Sequence, residues 1–377
     1  MDGPRTQVAV VGGGVAGLAV AFDLEHEAAA RGLPLAVTVF EGDGRPGGNL
    51  RTDRHDGFRI EWGPNGFLDN EPATFRLVDR LGLRERVLRS EDAARRRFIM
   101  KDGRLHALPL SPPAFLATRL LSWPAKLRVL GEVIVPRRRD LDGAAEDPAR
   151  DETVAEFGRR RLGRAFTEVF LDPMVKGIWG GDAETLSLAA AFPRMVELER
   201  GHGSLFRALL ALQRRRRREG GGTASPGPSG VLHSFREGMG ELPARLATAL
   251  AGTLHLGRPV TGLRRADAGW YVRTADGEDG PFVVVVDASP AHAAARHAPD
   301  PGLAAQLAAI PYNALTVITL AFAEEDLAHA LDGFGMLIPG RERRRLLGVL
   351  WSSSIFRGRA PAGQRLLRCM AGGADLL

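Results

Sequence analysis

The chain has a single cysteine, Cys369, among 377 residues. One thiol excludes a disulfide framework and a cysteine-based zinc cluster, and it fits a reducing compartment. No uninterrupted apolar run reaches the ~18 residues that a membrane-crossing helix requires. An apolar strand begins within a few residues of Met1, so no secretory leader is expected. The nine histidines are scattered without metal-ligand spacing, and no metal site is expected. HExxH and GxSxG are missing too, which removes zinc-protease and serine-hydrolase chemistry. Basic residues outnumber acidic ones, 51 to 45, and nearly all are Arg. This excess comes without a helix-turn-helix, zinc finger or aromatic-laced basic sheet, so nucleic acid is not expected as a partner. A membrane surface or an acidic substrate accounts for it better. The hydrophobic fraction, 44%, and the charged fraction, 25%, suit a globular chain long enough for two or three domains.

What the sequence does have begins at Val8. The run Val8 to Val11 reads as a parallel strand buried on both faces, and it leads straight into Gly12-x-Gly14-x-x-Gly17. Gly12 allows the sharp turn, and Gly14 lets main-chain N–H groups approach a pyrophosphate. Gly17 lets the following helix pack on the sheet. That helix is expected from about Val15 to Arg31, with Leu18, Ala21, Phe22 and Leu24 facing the core and Gly32 as its stop. Gly13, Val15 and Ala16 complete the phosphate-binding turn at its N-terminus. A second strand, Leu35 to Phe40, delivers Glu41 to a position where a carboxylate can accept from both ribose hydroxyls. The RxGG box that follows, Arg45-Pro46-Gly47-Gly48, points to FAD rather than a nicotinamide cofactor.

The nucleotide domain is expected over 1–75, including the turn-rich stretch Glu61 to Phe67. From 92 to 210 the pattern is mainly helical. Within it, Pro112 to Val135 mixes Leu, Phe, Val and Trp123 with Arg119, Lys126 and Arg128. That composition suits a helix pair in a membrane interface with its basic groups snorkelling to anionic lipid, and equally an amphipathic core helix capped by Pro124. Residues 213–230, with five consecutive arginines and then Gly, Ser and Pro, read as a flexible connector. Strands return after it, at Leu232 to Phe235, around Trp270 and Tyr271, at Phe282 to Asp287, near Leu315 to Phe322 and at Leu366 to Met370. The fold class expected is α/β, with a discontinuous Rossmann-like domain over 1–75 and 230–290. A helical insertion over 92–210 and a mixed-sheet domain over 76–91 and 291–377 complete it.

The combination resembles the flavin amine oxidase superfamily, specifically its protoporphyrinogen oxidase branch. The residues that carry the likeness are Gly63-Pro64-Asn65, Ser111 to Leu116, and Gly177-Ile178-Trp179-Gly180-Gly181-Asp182 continuing through Leu186-Ser187 to Phe192-Pro193. Phe235 to Met239 followed by Leu242-Pro243 belongs with them. The resemblance implies FAD held by Gly12 to Gly17 and by Glu41 and Gly42. Arg45, Gly47 and Gly48 would lie near the phosphates and the ring, with Gly63, Pro64, Asn65 and Gly66 beside the flavin. Val260 would meet the adenine through its backbone. It also implies a substrate site with Arg97 pairing a propionate, Asn65 near it and Gly177 bordering the cavity.

The activity implied is oxygen-dependent oxidation of protoporphyrinogen IX to protoporphyrin IX in haem biosynthesis, by six-electron removal in three flavin cycles. Coproporphyrinogen III is the alternative substrate within the branch. The protein's task in such a reaction is positioning and shielding, with no separate catalytic side chain. An amine oxidase or carotenoid desaturase is the nearest enzymatic rival, and the Gly177 to Pro193 block argues against both. The implied setting is the cytoplasm, peripheral to the inner face of the cell membrane, with a homodimer compatible with the reading. One departure is marked: relatives continue well beyond the point where this sequence stops, and the part that follows carries a last glycine-rich flavin segment. The expectation is therefore a weak flavin binder and poor enzyme, or a non-catalytic remnant that binds porphyrin or lipid.

Overall fold

The computed structural model describes residues 5–138, 151–218 and 230–374, with the side chains of 216–218 left undescribed. The chain divides into two compact units, Met1–Ser90 with Gly230–Tyr312, and Glu91–Ser229 with Asn313–Leu377. The helical stretch expected over 92–210 and residues 313–377 share the second unit, whereas 76–90 and 291–312 lie in the first.

The first unit is built on a parallel sheet whose strand order is Thr253–His255, Leu35–Phe40, Thr6–Val11 and Val284–Asp287. Val8 to Val11 are all buried, as their unbroken apolar run requires of a strand covered on both faces. The helix Val15–Ala30 presses Gly17, Leu18, Ala21 and Ala28 inward. An antiparallel meander, Gly262–Ala266, Gly269–Thr274 and Gly277–Phe282, brings Val272 and Phe282 into a cluster with Ala9 and Phe40. The hairpin Thr52–His55 with Phe58–Glu61 leads into the Gly63 turn. The helix Glu241–Ala249 closes a larger cluster in which Leu242 and Leu246 meet Leu18, Leu50 and Phe235.

The second unit carries a six-stranded sheet in the order Leu315–Ala323, Gln364–Gly372, Leu346–Leu350, Gly335–Leu337, Phe98–Lys101, Arg104–Ala107. Only the pair Gly335–Leu337 with Phe98–Lys101 is parallel. Helical residues from Arg164 to Trp179 include a π-turn at Thr167–Leu171 followed directly by Asp172–Trp179. Pro173 sits at the start of the latter and has no N–H to give, which accounts for the shift in bonding. Two expectations are corrected here. Arg214 to Arg218, assigned to a connector, continue the helix Leu205–Arg218, since arginine is a good helix former and favours a helix C-terminus. The rest of that connector, 219–229, lies outside the described residues. Lys126, which the membrane-interface reading sent toward lipid, turns inward instead, as the core-helix reading has it, while Arg128 stays exposed. Lys126 is buried and donates to the Leu116 carbonyl at 2.6 Å, and Arg128 donates to the Arg160 and Arg161 carbonyls. The nearby helix ends offer carbonyls that both side chains reach.

A buried ionic network joins the helices of this unit, and nothing in the sequence pattern announced it. Arg161 and Glu132 are both fully buried and paired with each other. Glu132 also accepts from the Ser204 hydroxyl at 2.6 Å and the Leu205 amide at 2.9 Å, and Arg161 donates to the Val135 and Gly203 carbonyls. Arg160 bridges Glu152 and Glu199. Burial alone would raise the Glu132 carboxyl, but its donors and Arg161 outweigh burial and hold it below the usual glutamate range. Glu132→Ala should therefore cost about 3–5 kcal/mol by stranding the Arg161 charge, measured by urea unfolding. Because the folded carboxyl is depressed, its contribution is present above about pH 4.3, the ordinary glutamate value, and is lost as pH falls below it. A wild-type acid-unfolding profile unchanged by Glu132→Gln would contradict this.

Candidate functional site

The carboxyl edge of the parallel sheet is a cradle made of main chain. Gly12 has a φ of +100°, and a Cβ there would stand 3.1 Å from the backbone of Ala288 and Ser289. A Cβ on Gly13 would meet Glu41 at 2.8 Å. On Gly17 it would collide with the Gly12 carbonyl oxygen, so the helix can seat on the turn only as glycine. Gly14 differs from these. Among the described residues nothing lies within 4 Å of the position its Cβ would take, so it faces open space there rather than protein. It is also the N-cap of Val15–Ala30 and gives no side-chain acceptor to the first-turn amides of Val15, Ala16 and Gly17. An open, side-chain-free helix N-terminus at a strand's carboxyl end is the geometry a pyrophosphate needs, and the residues fit FAD there.

Glu41 is held rigidly at this edge. Its carboxylate accepts from the Gly13 amide at 2.7 Å and the Asp43 amide at 2.8 Å, and part of its surface remains exposed. A segment far along the chain laces the same turn. The Glu41 amide donates to His255, Arg258 donates back to the Glu41 carbonyl, and Gly257 donates to Asp43, each at 2.8 Å. Gly42 lies 3.5 Å, measured from its would-be Cβ, from Pro259, and Val260 packs its side chain on the Ala9–Phe40 cluster. Its backbone is what remains for a ligand.

The RxGG loop closes over Gly13. Gly47 donates to the Gly13 carbonyl at 2.7 Å and bridges to Gly14, while Gly48 comes within van der Waals reach of the Gly14 Cα. Gly47 has a φ of +111°, and a Cβ would press on Pro243 at 2.9 Å. Arg45 folds back on its own loop, donating to the Gly48 carbonyl at 2.7 Å and to Pro46 at 3.2 Å. Downstream, Gly63 is forced by the Asn49 carbonyl and Gly66 by the His233 carbonyl, while Pro64 is exposed between them. The side-chain amide nitrogen of Asn65 is buried and has no acceptor among the described residues. A buried donor without a partner costs about 1–3 kcal/mol, which a bound ring or carboxylate would recover.

Sequence reasoning missed the brace behind this turn. Glu61 is buried and accepts from the Thr52 hydroxyl at 2.7 Å and the Met239 amide at 2.9 Å, while Thr52 accepts from Gly240. A carboxylate two positions before Gly63 was the available signal.

In the second unit, Arg97 and Gly177 both lie against the segment Phe334 to Leu337. Arg97 lies over the ring of Phe334, 5.2 Å away, and has no carboxylate partner among the described residues. Protein around its guanidinium pulls its pKa below the ordinary arginine value, although its side chain keeps an exposed surface. Gly177, on Asp172–Trp179, allows close contact with Leu337, whose methyl would stand 2.6 Å from a Cβ.

Residues 15–377 match the family of flavin containing amine oxidoreductases. The chain is 32% identical to the coproporphyrinogen III oxidase of Propionibacterium freudenreichii, with 97% of this chain and 72% of that protein covered. It is 27% identical to the coproporphyrinogen III oxidase of Bacillus subtilis, covering 99% and 79%. Protoporphyrinogen oxidase 2 of Arabidopsis thaliana is 30% identical, covering 98% and 75%. A solved structure from Exiguobacterium sp. 255-15 superposes with a TM-score of 0.81 at 24% identity, over 99% of this chain and 78% of that one, and establishes the fold.

The open space at Gly14 makes a sharp prediction. Gly14→Val should leave the fold intact, with a thermal midpoint close to that of the wild type, because the new side chain meets no protein atom. FAD retention on gel filtration should be lost. Equal flavin content in the two proteins would remove the cradle from the site.

Proposed function

This chain belongs to the flavin containing amine oxidoreductases, and on that premise we propose that it is an FAD-dependent oxidase of a porphyrinogen, protoporphyrinogen IX or coproporphyrinogen III. What carries the reading is likeness to enzymes of both kinds over almost the whole chain. The discontinuous first unit is the FAD-binding part, and the second unit supplies the substrate side. FAD, when bound, is the electron sink, with molecular oxygen as the final acceptor. The chain's own residues do the rest. Glu41 holds the ribose, the amides from Gly13 to Gly17 hold the pyrophosphate, and Gly63 to Gly66 flank the ring. Arg97, free of any carboxylate partner among the described residues, pairs a substrate propionate beside Phe334. Asn65 offers its spare donor, and Gly177 keeps the cavity wall free of a side chain. Self-association as a homodimer belongs to the same reading.

A second reading concerns where the enzyme works, and the exposed apolar residues of the second unit favour it. Trp123 is 63% exposed, Leu127 64% and Ile134 85%. No helix among the described residues is long and apolar enough to cross a membrane. A peripheral seat on the inner face of the cell membrane, with these residues in the interface, fits both observations. Since Lys126 is turned inward, attraction to anionic lipid falls to the exposed Arg119 and Arg128 and to Arg343, Arg344 and Arg345. The loop that carries those three is tied to the turn at Asp102 through Glu342, and Lys101 ties that turn to the Arg119 carbonyl.

The chain reconstituted with FAD should convert either porphyrinogen to its fluorescent porphyrin under air. Failure with both substrates, despite bound flavin, would overturn the proposal. Arg97→Ala should raise KM about 10- to 100-fold with a smaller effect on kcat, as expected for loss of one charge-assisted bond. An unaltered KM would take Arg97 out of the substrate site. Replacing Arg343, Arg344 and Arg345 with Gln should weaken co-sedimentation with anionic vesicles by about 1 kcal/mol per charge, while Lys126→Gln should not. The reverse pattern would return the membrane contact to the helix pair.

A further inference from the structure

The strand Val284–Asp287 runs parallel to Thr6–Val11 with Asp287 opposite Val11, so it ends at the same carboxyl edge as the glycine turn. The two residues after it, Ala288 and Ser289, are the backbone that presses on Gly12. Ligands of open parallel sheets lie outside the carboxyl ends of their strands. A carboxylate placed there stands next to a dianionic pyrophosphate, which is an unfavourable arrangement unless the charge is offset.

The structure supplies the offset. Asp287 accepts from the Nε2 of His297 at 2.7 Å, and its other oxygen accepts from the Ser289 hydroxyl at 2.6 Å and amide at 3.0 Å. His297 comes from the helix Ala291–His297 and is buried, 4% exposed, whereas the Asp287 side chain is 27% exposed. The imidazole is sealed and the carboxylate is open to the edge. The remaining charges of the packed elements are committed elsewhere. Thr6–Val11 carries none, Arg264 and Arg273 of the meander pair with Glu278, and Arg265 lies over Trp270. Arg296 donates to the His292 carbonyl, His292 packs on Tyr312, Asp300 caps Leu303, and Glu41 is held by the Gly13 and Asp43 amides.

We propose that His297 is the counter-ion that lets Asp287 stand at the nucleotide edge, so that retention of FAD depends on the imidazole's proton. With the proton in place the pair is neutral toward the pyrophosphate. Without it, Asp287 repels the cofactor. Burial works against the Asp287 carboxylate, but the bonds from His297 and Ser289 outweigh it and keep the group ionised at lower pH than an ordinary aspartate. His297 is thus a positioning residue whose charge, rather than its bulk, matters. The inference rests on FAD occupying the cradle at Gly12 to Gly17.

The test is the Kd of FAD for the full chain, read by flavin fluorescence across roughly pH 5 to 8. In the wild type, affinity should fall as pH rises through this range, by about 3- to 5-fold, the effect of one partly screened charge. His297→Gln keeps a donor without the charge and should give the weak, alkaline affinity at every pH. Asp287→Asn should bind at least as tightly as the wild type and lose the pH dependence. Should His297→Gln fail to fold, Asp287→Asn decides alone. A flat wild-type profile with FAD bound, or an Asp287→Asn chain that binds more weakly with the slope retained, overturns the pair's role while leaving the cofactor reading intact. A chain that takes up no FAD at any pH overturns both.

Discussion

The amide of Gly47 reaches the carbonyl of Gly13 at 2.7 Å, at a place where neither residue has room for a side chain: a Cβ on Gly47 would press on Leu50 and Pro243, and one on Gly13 would press on Glu41. The same closeness recurs on every side of the turn. Ala288 and Ser289 press on Gly12, Gly48 on Gly14, and Glu41 on Gly13. The parallel sheet, the distant segment from His255 to Arg258 and the helix that begins at Glu241 each contribute one wall. Their apolar cores fix the walls to within the tolerance that the main-chain contacts require. A methyl group at Gly12, Gly13, Gly17 or Gly47 would press on one of these walls, whereas at Gly14 it would meet no described residue.

The second unit solves a different problem by different means. Its helices are short, several have no more than two turns, and their apolar faces alone give little register. Buried charge supplies it. Arg160 and Arg161 are adjacent on one helix and reach Glu132, Glu152 and Glu199 from three other segments. Each ion has more than one partner, although the Nε of Arg161 is left without one among the described residues, and paired buried charge of this kind can specify an arrangement. Arg97 stands apart from this economy of pairs, and its lack of a carboxylate among the described residues is what marks it.

Much of the first unit could be read from residue order because its causes are local. The unbroken run Val8 to Val11, the glycine spacing after it and Glu41 at the end of the next apolar strand are all short-range signals, and the strand and helix bounds follow them closely. What the sequence did not disclose were contacts between distant residues. Glu61 bracing Met239, His255 bonding Glu41 and His297 seating Asp287 each join segments whose separation hides them from periodicity. The arginine run misled because its composition suggested solvent exposure, which a helix end satisfies as well as a connector does. Lys126 misled for the opposite reason: a carbonyl at a nearby helix end was a better partner for it than water.

The π-turn at Thr167–Leu171 has an evolutionary consequence. It amounts to one residue more than a regular helix would hold. Because Pro173 would still lack an N–H, removing any single residue ahead of it would leave the wide turn in place and rotate everything beyond by about 100°. Gly177 would then swing away from Leu337, and a neighbour with a side chain would take its place against the sheet. Substitutions along this helix can accumulate one at a time, but a change of length cannot. In lineages that share the close contact at Gly177, the spacing between Thr167 and Gly177 should therefore outlast the identity of the residues that fill it.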